Sequence, residues 1–250
     1  MRTDFNGHAR RRERGDGRSW LAVLEYDALA PAGHFVKLGP YNLFWIFISM
    51  SVLGMFVETL VSFPADGVWK DRAGLVWGPL SPIYGCGALL MTLFLNNMKD
   101  RSNVHLFVKA GIVGALLELF AGWTMKTLYG AIAWSYIDQP FNIGGYTCLG
   151  MAIVWGIAGF VWMKFFLVPV VHLVQLIPAG HPRTVVTALV AVFLAADVVM
   201  TFVSMGFYFD RMAGVPVETP IQQFFADRYS DSFMQNRFQT ISIYTDLATR

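Results

Sequence analysis

Residues 63–87 read FPADGVWKDRAGLVWGPLSPIYGCG and follow directly on the apolar run Leu43–Phe63, LFWIFISMSVLGMFVETLVSF. The first segment carries two charges of each sign, three prolines and five glycines. It can be neither an ordinary helix nor a short turn. Pro79 and Pro82 cannot donate backbone hydrogen bonds and push their predecessors into extended conformations. Gly74, Gly78, Gly85 and Gly87 permit tight bends and close backbone approach. Non-helical backbone at membrane depth is tolerated only where protein or a water-filled cavity satisfies it. The stretch therefore reads as a loop that dips toward a helical bundle and restarts a helix at Ile83–Tyr84. That helix start would aim its N–H groups at an anion or a buried carboxylate. The plainer alternative is an interfacial turn with ordinary helix breakers.

The membrane context comes from composition. Of the 250 residues 55% are hydrophobic and 14% charged, where soluble domains carry roughly 25% charged residues. A bilayer-spanning helix needs a window of roughly 20 apolar residues. Five windows qualify: Leu43–Phe63, Leu80–Asn97, Val104–Leu128, Cys148–Val171 and Val185–Phe209, of which the second is short. The expected fold is all-α, a polytopic transmembrane bundle of about five spans with non-helical outer loops, since an open sheet cannot satisfy its backbone in lipid.

Three regions follow: a basic arm over 1–40, a transmembrane domain over 41–209, and a tail over 210–250. The first 30 residues hold no apolar core beyond Trp20–Leu24, so no cleavable signal peptide is expected. The run HARRRERGDGR beside a span reads as a retained cytoplasmic arm touching anionic lipid headgroups, and no nucleic-acid partner is expected. Lys and Arg number twelve on the N-terminal side of the five spans and seven on the other, which predicts the N-terminus inside and the tail outside. In the tail, Thr219 and Pro220 form an N-cap and first-turn proline. Ile221, Phe224, Phe225 and Tyr229 then make a partial apolar stripe, consistent with an interfacial or bundle-capping helix or with an exposed tail. Cys86 and Cys148 fit neither a zinc spacing nor a redox pair and read as small apolar side chains.

An ionisable group inside a span costs at least about 2.5 kcal/mol and marks a functional candidate. Glu58, Glu118 and Asp197 qualify. At about 1.5 Å per residue they fall roughly 22, 21 and 18 Å along their spans, in one layer. They must face the bundle interior, with Arg72 and Lys126 as candidate cations; structural ion pairs are the alternative. A 60-residue shift aligns Gly54 with Gly114, Glu58 with Glu118, Gly85 with Gly145, Leu89 with Leu149 and Met91 with Met151, which suggests a parallel two-helix repeat. The second unit's loop, WSYIDQPFNIGGYTCLG over Trp134–Gly150, has the same aromatic, acid, proline and glycine order.

These residues resemble a family. Glu58, Arg72, Gly78-Pro79, Pro82-Ile83-Tyr84-Gly85, Glu118, Pro140-Phe141-Asn142 and Trp155-Gly156 match the pattern of bacterial membrane proteins grouped as ABC-transporter permeases of the CmpB type. The match spans about Phe44 to Leu167 and departs at Tyr146, where an arginine is expected. The resemblance implies a bacterial cytoplasmic membrane location and a transport subunit. Its substrate-binding positions would be Glu58, Arg72, Gly78, Pro79, Pro82, Tyr84, Gly85, Glu118, Pro140, Phe141, Asn142 and Trp155, with Asp197 added from the buried acids. No G-x-x-x-x-G-K-[ST] phosphate loop is present, so ATP would enter only through a separate ATPase subunit. Membrane lipids and a second copy of the chain are the other expected partners. Three function classes remain open at this level. A permease would bind a small polar or cationic solute at the acid layer. An intramembrane enzyme on a lipid-linked substrate would use Glu58 and Glu118 as acid and base with Arg72 on a phosphate. A non-transporting sensor or assembly protein is the third. An enzyme is the less favoured reading, since no nucleophile motif accompanies the acids.

Overall fold

The computed structural model describes residues 38–98, 102–239 and 241–243; the basic arm over 1–37 lies outside them. Helix α1 (Pro40–Asp66) starts on a proline at its first turn and ends at Gly67, whose left-handed φ of 69° closes the last carbonyls. Helix α2 (Pro82–Leu95) returns along α1, and α3 (Asn103–Tyr129) runs out again to a left-handed Gly130. Helices α4 (Leu149–Val161) and α5 (Leu167–Gln175) form one rod, joined by a π-helical turn over Trp162–Phe166. Pro169 sits just beyond that turn and cannot donate to Phe165, which accounts for the local widening. Helix α6 (His181–Met212) is the longest. Two short helices, α7 (Pro220–Arg228) and α8 (Asp231–Arg237), follow it. Strands β1 (Ala131–Ile132) and β2 (Ser242–Ile243) pair antiparallel at the same end.

Among the described residues four helices are long and apolar enough to cross a membrane: α1, α3, the α4–α5 rod and α6. The expected second span differs. Helix α2 has 14 residues, about 21 Å, and is too short for a hydrocarbon core of about 30 Å. The missing length is supplied by loop 67–81, which turns back into the bundle. The Ser81 N–H donates to the Ser51 carbonyl at 3.0 Å, and Ser51 lies 15 residues before the end of α1, about 22 Å down the helix. Loop 130–148 does the same on α3. The Thr147 hydroxyl donates to Glu118 at 3.0 Å, about 16 Å below the end of that helix. Both loops are re-entrant, as the sequence of the first one suggests.

Packing between the long helices depends on small residues. A Cβ at Gly111 would lie 2.6 Å from the Ala152 carbonyl oxygen, and Gly114 receives the Trp155 ring. Gly54 takes the Tyr84 ring in the same way, and Gly85 rests on Phe47 and Ser51. Close backbone approach of this kind replaces the hydrophobic drive that helices lack in lipid. Ile46, Met91, Leu95, Leu106, Met163 and Leu167 fill the core between α1–α5. Leu53, Phe56, Val57, Leu60 and Val61 stay exposed along α1, as lipid-facing positions do.

The suggested 60-residue repeat holds only in part. Gly54/Glu58 and Gly114/Glu118 occupy like positions on α1 and α3. Gly85 and Leu89, however, lie inside α2, whereas Gly145 is in the loop with φ 74° and Leu149 opens α4. The second loop is longer, so one constant shift cannot align both units.

Replacing Gly111 with Ala should destabilise the chain by about 1–3 kcal/mol, because a backbone carbonyl blocks the added methyl. Gly206→Ala, which meets nothing within 4 Å, should leave stability equal or slightly raised. Thermal unfolding in detergent checks both.

Candidate functional site

Glu58 leaves α1 two turns before its end and meets the descending loop. Its Oε1 lies 3.5 Å from the Arg72 guanidinium, and its Oε2 accepts from the Tyr84 hydroxyl at 2.5 Å. The Glu58 side chain is one-third exposed and that of Arg72 about 14%. Tyr84 reaches this carboxylate because Pro82 starts α2 at the right depth and Gly54 leaves room for the ring.

Glu118 sits deeper, 4% exposed. It accepts from Thr147 at 3.0 Å and from the Tyr136 hydroxyl at 3.4 Å. Tyr136 lies within electrostatic reach of both Glu118 and Glu58, and Tyr84 within reach of Tyr136. The two glutamates, Arg72, Tyr84, Tyr136 and Thr147 thus make one polar cluster where both loops enter the bundle. Cys148 follows Thr147 and is buried. The Trp155 indole packs on Gly114 and Gly87 at the inner side of Glu118.

Asp197 is held by other partners. It is fully buried on α6, and its Oδ1 accepts from the Trp77 backbone N–H at 3.0 Å and from Thr201 at 3.4 Å. The Thr201 hydroxyl in turn accepts from the Val76 N–H at 2.8 Å. Asp197 therefore serves the backbone of the re-entrant loop, and its place in a single layer with the glutamates has no contact behind it. The carbonyls of that loop are met from the tail. Arg237, at the end of α8, donates through Nε to Leu75 O at 2.8 Å and through Nη2 to Trp77 O at 3.2 Å and to Gly78 O. Its Nη1 pairs with Asp71 at 2.8 Å. Gly74 N–H closes on Leu80 O, and Ala73 N–H on the Asp71 carboxylate.

The remaining motif residues divide. Gly78 is a point of contact for Arg237, Pro82 starts α2, and Pro79 is exposed. Pro140 and Phe141 stand apart from the acids on the outside of the second loop. Phe141 is 80% exposed with φ 55°. Asn142 fastens that turn: its Nδ2 donates to Ile137 O and Gln139 O, and its Oδ1 accepts from Gly145 N–H. Lys126, considered as a partner for Glu118, places its Nζ 5.9 Å from the centre of the Tyr146 ring. Tyr146 also packs on Gly122, so the residue that departs from the family pattern is used for packing.

The tail is ordered as a cap. Phe225 and Tyr229 of the expected stripe are buried with Met234 and Phe238, while Ile221 and Phe224 are exposed. Tyr136, Thr147, Thr201 and Arg237 were not singled out from sequence. Arg237 in particular sits about 160 positions from the carbonyls it meets, and no local pattern announces such a contact.

Residues 45–202 match the family model described as "Putative ABC-transporter type IV", of the CmpB type. The match covers well over half of the chain, and the chain belongs to that family. No curated protein and no solved structure matches it.

Asp197→Asn keeps an acceptor for the Trp77 N–H and should change stability little. Asp197→Leu strands the Trp77 N–H and loses the Thr201 contact, and should cost about 1–3 kcal/mol. Thermal unfolding, with limited proteolysis between residues 67 and 81, reads the difference.

Proposed function

We propose that this member of the CmpB-type family is the membrane subunit of a transport system, and that the cluster around Glu58 and Glu118 binds a small polar or cationic solute. Family membership and the four long apolar helices make it a membrane transport-related protein. The binding role rests on one observation. Among the described residues Glu58 meets the Arg72 guanidinium and the neutral Tyr84 hydroxyl, while Glu118, also at membrane depth, meets the neutral hydroxyls of Tyr136 and Thr147. With both acids ionised the cluster carries excess negative charge, which a cationic ligand would offset. Buried acids in spans commonly line such pathways. The neutral hydroxyls can re-pair as a ligand enters, so no buried group need lose its partner.

The bacterial cytoplasmic membrane, with the N-terminus inside, is the matching location. Energy would come from a separate ATPase subunit, docked at the end of the bundle opposite the re-entrant loops.

The test has two parts on the detergent-purified full chain. Isothermal titration with choline, putrescine and guanidinium should detect binding of at least one, weakened at least about tenfold in Glu118→Gln, a loss of about 1.4 kcal/mol. Asp197→Asn should bind as the parent does. Unaltered binding in Glu118→Gln would remove the cluster from the pathway. Mass spectrometry of proteins copurified from the native membrane should show a stoichiometric ATPase; its absence would overturn the ATP-driven part.

A further inference from the structure

The tail from Val215 onward lies outside the residues that match the family, yet it holds both re-entrant loops. Arg237 spans Leu75 to Gly78 by their carbonyls, and the Gln239 side chain accepts from the Asp71 N–H at 3.3 Å. The Tyr229 hydroxyl accepts from the Trp77 indole at 3.1 Å. On the other side, Ile243 and Ser242 pair with Ala131 and Ile132, where the second loop leaves α3. The tail is itself fixed to α6: Arg211 donates to Asp231 at 2.8 Å and to the Tyr229 carbonyl at 2.9 Å.

One part of this arrangement bears directly on the acid cluster. Asp71 and Arg72 are neighbours in the chain with opposite charges and opposite partners. Asp71 pairs outward with Arg237, and Arg72 pairs inward with Glu58. In the outer pair the Arg237 side chain is 18% exposed and that of Asp71 one-third exposed. Releasing Arg237 frees Asp71 and three carbonyls of the segment that presents Arg72. These bonds tie the segment to the tail, so their loss loosens the loop, and Arg72 moves with it.

We infer that Arg237 is a positioning residue and that the tail acts as a clasp over the loop end of the bundle. Closed, it keeps Arg72 on Glu58 and the cluster covered. Open, it exposes the cluster and withdraws the Arg72 guanidinium that pairs with Glu58. The inference rests on the binding reading above and assigns that cluster its control. A tail that only covered the bundle would alter access alone; the clasp alters both access and charge.

Cys148, buried and next in the chain to Thr147, which donates to Glu118, is a reporter of both. In full-length protein carrying Cys86→Ser, the rate of Cys148 modification is measured by mass spectrometry with two methanethiosulfonates of similar size. One bears a trimethylammonium group and the other a sulfonate. With Arg237 intact both should react slowly. Arg237→Gln should accelerate modification at least about tenfold, as local opening does, and should favour the cationic reagent over the anionic one. Arg237→Lys, which keeps the charge opposite Asp71, should fall nearer the parent. Unchanged rates in Arg237→Gln overturn the clasp, and an equal rise for both reagents overturns the coupling to Arg72. If Arg237→Gln does not purify folded, Asp71→Asn breaks the same pair from the loop side and must give the same charge preference. The readout requires no solute and no ATPase. Failure of cation binding together with Arg237-dependent labelling would remove the transport reading and leave the clasp standing.

Discussion

Backbone N–H and C=O groups that are neither helical nor in water must find partners, and in this molecule that requirement fixes much of the rest. Loop 67–81 brings irregular backbone about 22 Å below the end of α1. In lipid each unmatched group would cost several kcal/mol. The loop answers with donors and acceptors taken from three places. The Ser51 carbonyl of α1 accepts one N–H, Asp197 and Thr201 of α6 accept two more, and Arg237 of α8 donates to three of the loop's carbonyls. Helix α6 and the tail are thereby tied to the first loop.

The same requirement explains why the acids differ in character. Asp197 is a fully buried carboxylate in the service of two backbone amides through itself and Thr201. Glu58 and Glu118 instead accept mainly from side chains that could rotate to other partners. A carboxylate held by backbone is architectural; one held by hydroxyls and a guanidinium can exchange partners. Depth along the helix, which is all that residue spacing reports, cannot separate the two cases.

The two re-entrant loops reach their glutamates by different routes. On α1 the hydroxyl comes from the following helix, through Tyr84, and the loop contributes Arg72. On α3 both hydroxyls come from the loop, through Tyr136 and Thr147. The longer second loop folds into a turn held by Asn142 and two left-handed glycines before α4 begins. Resemblance between the units therefore lives in the outgoing helices α1 and α3, where a glycine accepts a ring and a glutamate follows one turn later.

By itself the sequence determined the membrane class, the long apolar helices among its five expected spans, the breakers of the re-entrant loops and Arg72 as a candidate cation for the buried acids. Those features are local: a run of apolar residues, a proline without a donor, and a charge that must be offset within a few turns. Tertiary structure alone decided that Asp197 caps a loop, that Tyr136 donates to Glu118, and that Arg237 reaches back to Leu75–Gly78. It also decided that α2 stops short of a full crossing, since that length depends on how deep the preceding loop turns. Partners separated by more than a hundred residues are selected by packing geometry, and no spacing along the chain encodes which of several donors arrives at a given carbonyl.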